Sequence, residues 1–212
     1  ERADLDHGRS GAEPGGGGRQ PLGLIVREPA FDVVRGGHAA RHATSLPPVS
    51  VTAAAPGPAP ELPTGLERAR LLWRLWRKER ADPEPFYELL AAIAVDDLDH
   101  MHGPIAGQVI ADLGCGPGYY TRAFRERGAT VIPVDNSREE AELGGPPPEG
   151  LVLGDAGDLP LDDASIDGAY CSNMFEHTPS AEPIIDEVAR VLKPGGWGYL
   201  SWTNWYSPWG GH

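Results

Sequence analysis

The chain has 212 residues, a formal net charge of −13 and a pI near 4.9. That length holds one domain of ordinary size with extra segments. An acidic surface repels phosphate backbones, so charge argues against nucleic acid as a partner. No apolar run is long enough for a membrane span, and the first residues show no signal-peptide pattern. Cys115 and Cys171 are the two cysteines; they make no disulfide framework and fit a reducing, cytoplasmic setting.

In chain order, residues 1–65 come first, with 11 Gly, 9 Pro and Phe31 as their one large aromatic. Such a segment buries too little apolar surface to offset its ordering entropy, so it is expected to be disordered. Leu22 to Val34 is its one candidate strand, and it has no obvious partner. Residues 66–80 change character: Leu71, Leu72, Leu75 and Trp76 fall at helical spacing among six basic and two acidic residues. A basic amphipathic helix can seek a membrane surface. The reading preferred here is packing on the following domain, because residues 81–212 carry 22 acidic and 6 basic groups. Residues 84–94 read as a second helix, and residues 66–106 together as a helical cap.

Residues 107–212 alternate strand and helix. Strands are expected near 108–113, 130–135, 151–154, 166–171 and 197–203, with helices near 119–127, 137–142 and 181–192. This alternation predicts an α/β fold with a parallel sheet and right-handed crossovers. Ligands on such sheets bind at the carboxyl ends of strands, where the strand order reverses.

The stretch DLGCGPG, Asp112 to Gly118, follows the first of these strands. Its three glycines let a ligand lie against the backbone, and the helix behind offers free N–H groups. No Gly-Lys-Ser/Thr tripeptide is present for a P-loop, and the spacing is G-x-G-x-G instead of the dinucleotide G-x-G-x-x-G. Asp112 disfavours a pyrophosphate and suits a cationic ligand. Asp135 ends the second strand, where a carboxylate can accept two hydrogen bonds from a ribose diol. The alternative is a turn or helix cap before Ser137. These features ask for an adenosine-like, positively charged ligand without phosphates.

DLGCGPG, VDNS, GDAGDLPLDDASIDGAYCSNMFEH and EVARVLKPGGWGYLSW, in this order, resemble the motifs of class I S-adenosylmethionine-dependent methyltransferases, most closely the type 11 group in an actinobacterial form. The resemblance implies a Rossmann-like, doubly wound sheet of order 3-2-1-4-5. It implies S-adenosyl-L-methionine as cofactor and a small-molecule methyl acceptor. Asp112, Gly114, Cys115, Gly116 and Gly118 would line the methionine portion. Asp135 would hold the ribose, with Asn136 beside the adenine. Asp155 and Ala156 would face the adenine ring, and Ser172 and Asn173 would approach the methionine. No metal is implied. Should the acceptor be protonated, His177 and then Glu176 are the candidate bases; the alternative is that both only fix the loop they occupy.

Members of this fold add a final antiparallel hairpin beyond the fifth strand. The chain ends soon after Thr203, so a shortened, C-terminally truncated core is expected. The fifth strand would then be a bare apolar edge prone to self-association, with Trp205 and Trp209 uncovered. Two other readings stay open: a non-catalytic cofactor-binding fragment, and a nicotinamide-dependent oxidoreductase sharing the sheet. Cys115 and Cys171 sit on neighbouring strands, where a redox pair or plain packing could result.

Overall fold

The computed structural model describes residues 62–202 and, as backbone alone, the strand Gly23–Val26. In chain order the elements are β1 (Gly23–Val26), α1 (Gly65–Trp76), α2 (Glu84–His102), β2 (Val109–Leu113), α3 (Tyr119–Glu126), β3 (Thr130–Asp135), α4 (Arg138–Ala141), β4 (Val152–Leu153), β5 (Ile166–Ser172), α5 (Glu182–Val191) and β6 (Leu192–Ser201). All ladders are parallel, and the sheet order is β1-β6-β5-β2-β3-β4. Leaving β1 aside, this is the 3-2-1-4-5 order expected from the sequence. The order reverses between β2 and β5, so the glycine turn after β2 lies at the switch point.

Each face of the sheet buries its own core, as strand side chains alternate. On one face Ile110, Val131, Tyr170 and Trp197 pack under α2 and α3, against Ala91, Val95, Leu98 and Phe124. On the other, Ala111, Leu113, Val134, Ala169, Cys171 and Leu200 pack against Ile184, Val188 and Val191 of α5. Buried Glu187 of α5 accepts from the Leu159 amide at 2.8 Å and pairs with Arg190 at 2.7 Å. Arg190 in turn donates to the Leu159 and Leu161 carbonyls, which ties the segment after β4 to α5.

Three expectations change. The second helix runs to His102 instead of stopping near residue 94, because Ala91, Val95 and Leu98 keep a buried stripe at i, i+4 and i+7 while Asp97 stays outside; Gly103, at φ 82°, then ends it. The last strand begins at Leu192: Ile166 pairs with Leu192 and Gly168 with Trp197, so Lys193–Gly196 form an irregularity within the strand, not a turn before it. Trp197–Leu200 is not a bare edge. Gly23–Val26 lies parallel along it, Gly23 opposite Trp197 and Val26 opposite Leu200. This corrects the disorder expected for that piece of residues 1–65 and occupies the edge on which self-association was argued; parallel pairing satisfies N–H and C=O groups that would otherwise stand open. The rest of the segment up to residue 61, and the tail from Thr203 with Trp205 and Trp209, lie outside the described residues. In α1, Leu71, Leu72, Leu75 and Trp76 are half-buried and no residue is fully buried, whereas Leu66 and Trp73 are 76% and 60% exposed.

Candidate active site at the glycine turn

β2 carries the chain to the switch point, and Gly114, Gly116 and Gly118 follow at φ 68°, 47° and 79°. These are left-handed values that side chains with a β-carbon rarely adopt. The three glycines differ in surroundings. A β-carbon on Gly118 would stand 2.5 Å from Cγ of Pro148, and one on Gly114 3.0 Å from Sδ of Met174. Gly116 has open space where a β-carbon would be, so its position is a cradle over the backbone.

Asp135, at the end of β3, is 4% exposed. Its Oδ2 accepts from the Gly116 amide at 2.8 Å and its Oδ1 from the Ser137 amide at 2.9 Å. A carboxylate offers about four acceptor positions. Two are taken by backbone donors, which leaves acceptor capacity for two hydroxyls. The helix-cap alternative falls to Ser137, whose Oγ accepts from the Glu140 amide at 3.1 Å. Asn136 beside it is exposed.

Asp112 sits beneath the turn and is 1% exposed, not along its open surface. Thr121 Oγ1 donates to its Oδ2 at 2.6 Å. Burial pushes the carboxyl up to about 6; the Thr121 hydrogen bonds oppose the rise and nearby Asp135 adds to it. The folded chain therefore holds this proton more tightly than the unfolded chain. Stability from the protonated carboxyl is present below the unfolded value of 3.8 and is lost as pH rises through about 6. Asp112→Asn removes that loss and keeps an acceptor for Thr121. At pH 7.5 the variant should be more stable by about 1–3 kcal/mol in urea unfolding, with the gain vanishing towards pH 4. Equal or lower stability at pH 7.5 would contradict the buried, proton-holding carboxyl.

The remaining expected residues divide. Ala156 is buried at the segment after β4, and exposed Asp155 accepts from the Gly157 amide at 2.8 Å, closing a local turn. Ser172, half-buried at the end of β5, receives a hydrogen bond from Ser201 Oγ at 3.1 Å. Asn173 follows at φ 54°, a left-handed conformation that asparagine tolerates better than most residues. Glu176 and His177 lie exposed in a short 3-10 turn, Phe175–His177. Cys115 and Cys171 are buried free thiols. Burial pushes both well above the ordinary thiol range, which favours packing over redox reactivity.

Several contributors were not singled out from the sequence. Thr121 is the partner of Asp112, and Pro148 and Met174 close on the glycines. Tyr87 of α2 stacks on Tyr119 at 5.6 Å, with the Arg122 guanidinium 4.9 Å from the Tyr119 ring, so α2 docks at the rim of the turn. Tyr119 and Tyr120 directly after Gly118 were the available signal.

A parallel sheet of this order, with an acidic glycine turn at its switch point and a carboxylate one strand away, defines a Rossmann-like α/β domain. Residues 111–200 match the type 11 methyltransferase domain family. It is 38% identical over 157 residues to an uncharacterized methyltransferase of Mycobacterium bovis BCG, covering 69% of this chain and 61% of that protein. An uncharacterized methyltransferase of Mycobacterium tuberculosis H37Rv is 37% identical, with the same coverage. Among solved structures, a S-adenosylmethionine-dependent methyltransferase from Mesorhizobium loti is 32% identical, covers 48% of this chain and 49% of its own, and aligns with a TM-score of 0.41. The chain thus spans about 61% of the length of the curated relatives it matches.

The match to this family implies S-adenosylmethionine as cofactor. The residues present fit it. The cradle at Gly116 admits a ligand against the backbone, Asp135 keeps acceptor capacity, and the two buried carboxylates suit a cationic group. Arginines near the turn are engaged elsewhere: Arg122 donates to the Pro117 carbonyl, and Arg125 to those of Val131 and Glu149. No helix among the described residues is long and apolar enough to cross a membrane, and no group of acidic, His and Cys side chains there could hold a metal ion.

Proposed function

We propose that this chain binds S-adenosylmethionine at the glycine turn and belongs to an enzyme that methylates a small molecule. The observation that carries the reading is Asp135. Buried and fixed by two backbone N–H groups, it is aimed at the turn before any ligand arrives. Residues 66–106 act as the cap and residues 107–212 as the cofactor-binding core.

When bound, S-adenosylmethionine supplies an electrophilic methyl group on a sulfonium that leaves readily. The protein's task is then mainly to bind, align and keep water out. Asp135 holds the ribose hydroxyls, with Asn136 and the Asp155–Ala156 turn beside the adenine. The glycines allow close approach of the methionine portion, and Asp112 and Asp135 favour its positive charge over a diphosphate. Ser172 and Asn173 border the reacting end, at the carboxyl terminus of β5. Where the acceptor must lose a proton, His177 takes it, with Glu176 as the second candidate. Calorimetric titration with S-adenosylhomocysteine and, separately, with NAD tests the reading. It expects one site for the first and none for the second. Binding of NAD alone would favour the oxidoreductase instead.

A further inference from the structure

A cavity of about 210 Å³ lies between α2 and the carboxyl-terminal halves of β5 and β6, on the sheet face that α3 also covers. This is below the roughly 300–1,000 Å³ of pockets for drug-sized ligands, so its occupant is small. Tyr120 lines it two residues beyond Gly118, and Ser172 lines it at the end of β5. The cavity thus borders the place proposed for the methionine end of the cofactor.

Its walls are aromatic and aliphatic. The Tyr170 and Tyr199 rings stack at 4.9 Å and 7°, and Tyr120 leans on Tyr170 at 4.6 Å. The α2 side is apolar at Ala94 and its neighbours. Burial raises the Tyr120 and Tyr170 phenols above their ordinary range, so both stay neutral at physiological pH. Among the described residues, the one ionisable group besides the phenols that lines the cavity is exposed Asp97; no Lys, Arg or His of these residues lines it. A carboxylate or phosphate acceptor would find no counter-ion among these lining residues and would meet a like charge at Asp97. Tyr170 is itself buried under these neighbours, so an aromatic body finds the half-buried Tyr120 and Tyr199 rings, and a cation finds those rings and a carboxylate.

We infer that this cavity receives the methyl acceptor, and that the acceptor is a small aromatic molecule, uncharged or cationic and not anionic. The inference rests on the cofactor reading for its placement, whereas the charge preference follows from the cavity itself.

Three probes share a phenol ring and differ in charge: tyramine, 4-ethylphenol and 4-hydroxyphenylacetate. Each is titrated into the full chain with and without saturating S-adenosylhomocysteine. Tyramine and 4-ethylphenol should bind, and 4-hydroxyphenylacetate should bind at least tenfold more weakly than tyramine. Asp97→Asn should lower tyramine affinity about threefold to fivefold, the scale of an exposed ion pair, and leave 4-ethylphenol unchanged. Ala94→Trp should remove binding of all three while S-adenosylhomocysteine affinity stays within twofold. Equal binding of the three probes, no binding of any, or binding indifferent to Ala94→Trp would overturn the inference. Loss of S-adenosylhomocysteine binding in the unaltered chain would instead refute the cofactor reading, and the titrations without cofactor would still decide the cavity.

Discussion

Asp135→Ala should cost both the fold and the ligand. Two backbone N–H groups, of Gly116 and Ser137, lose their acceptor in a site where Asp135 was 4% exposed. Each unsatisfied donor costs about 1–3 kcal/mol, so urea unfolding should show a loss on the order of 2–4 kcal/mol. Affinity for S-adenosylhomocysteine should fall further than this destabilisation alone explains. Two charge-assisted hydrogen bonds to ribose are worth on the order of 2–4 kcal/mol, or about 30-fold to 1,000-fold in Kd. Asp135→Asn keeps one acceptor oxygen and should recover part of the stability. Unchanged affinity in either variant, measured where the chain is still folded, would sink the ribose assignment.

Gly168→Ala should be among the most damaging changes in the core, although it adds one methyl group. A β-carbon there would lie 2.4 Å from Cζ2 and 2.5 Å from Cε2 of Trp197. The ring has little room to retreat. Its Nε1 donates to Gln108 Oε1 at 2.8 Å, His102 stacks on it at 5.3 Å, and Phe124 stands at 6.3 Å. Gly168 and Trp197 are also register partners in the β5–β6 ladder, so the backbone cannot part without breaking it. Overpacking costs about 1–3 kcal/mol where neighbours can yield. Here about 3 kcal/mol or more is expected, a fall in Tm on the order of 10 °C. Trp197→Leu in the same chain should recover part of the loss. A Tm within 2 °C of the unaltered protein would mean, at about 2–4 °C per kcal/mol, that the ring moves freely.

Much of this architecture was legible because parallel sheets write themselves plainly. Buried strands such as Val109–Leu113 and Thr130–Asp135 are short apolar runs, and the helices between them carry one apolar stripe. The switch point follows from that alternation, and with it the placement of the glycine turn and Asp135. Local patterns could not reveal what depends on distant partners. Gly23–Val26 becomes a strand only because β6 offers it an edge some 170 residues later in the chain. Asp112 reads as a liner from its place in the motif, yet Thr121 draws its carboxylate under the turn. The tyrosine wall is spread over α3, β5 and β6, and no window of sequence shows that Tyr120, Tyr170 and Tyr199 share a face. Asp97 likewise reads as one more acidic residue until α2 is seen to extend past residue 94.

The central claim is that the glycine turn and the end of β3 together hold the adenosyl cofactor. Amide hydrogen exchange, followed with and without S-adenosylhomocysteine, tests it most directly. The account predicts slowed exchange concentrated at residues 114–118 and 135–137, with strand β1 at the far edge of the sheet unchanged. Saturating ligand that leaves both segments unprotected, or protects only a surface remote from them, would contradict it.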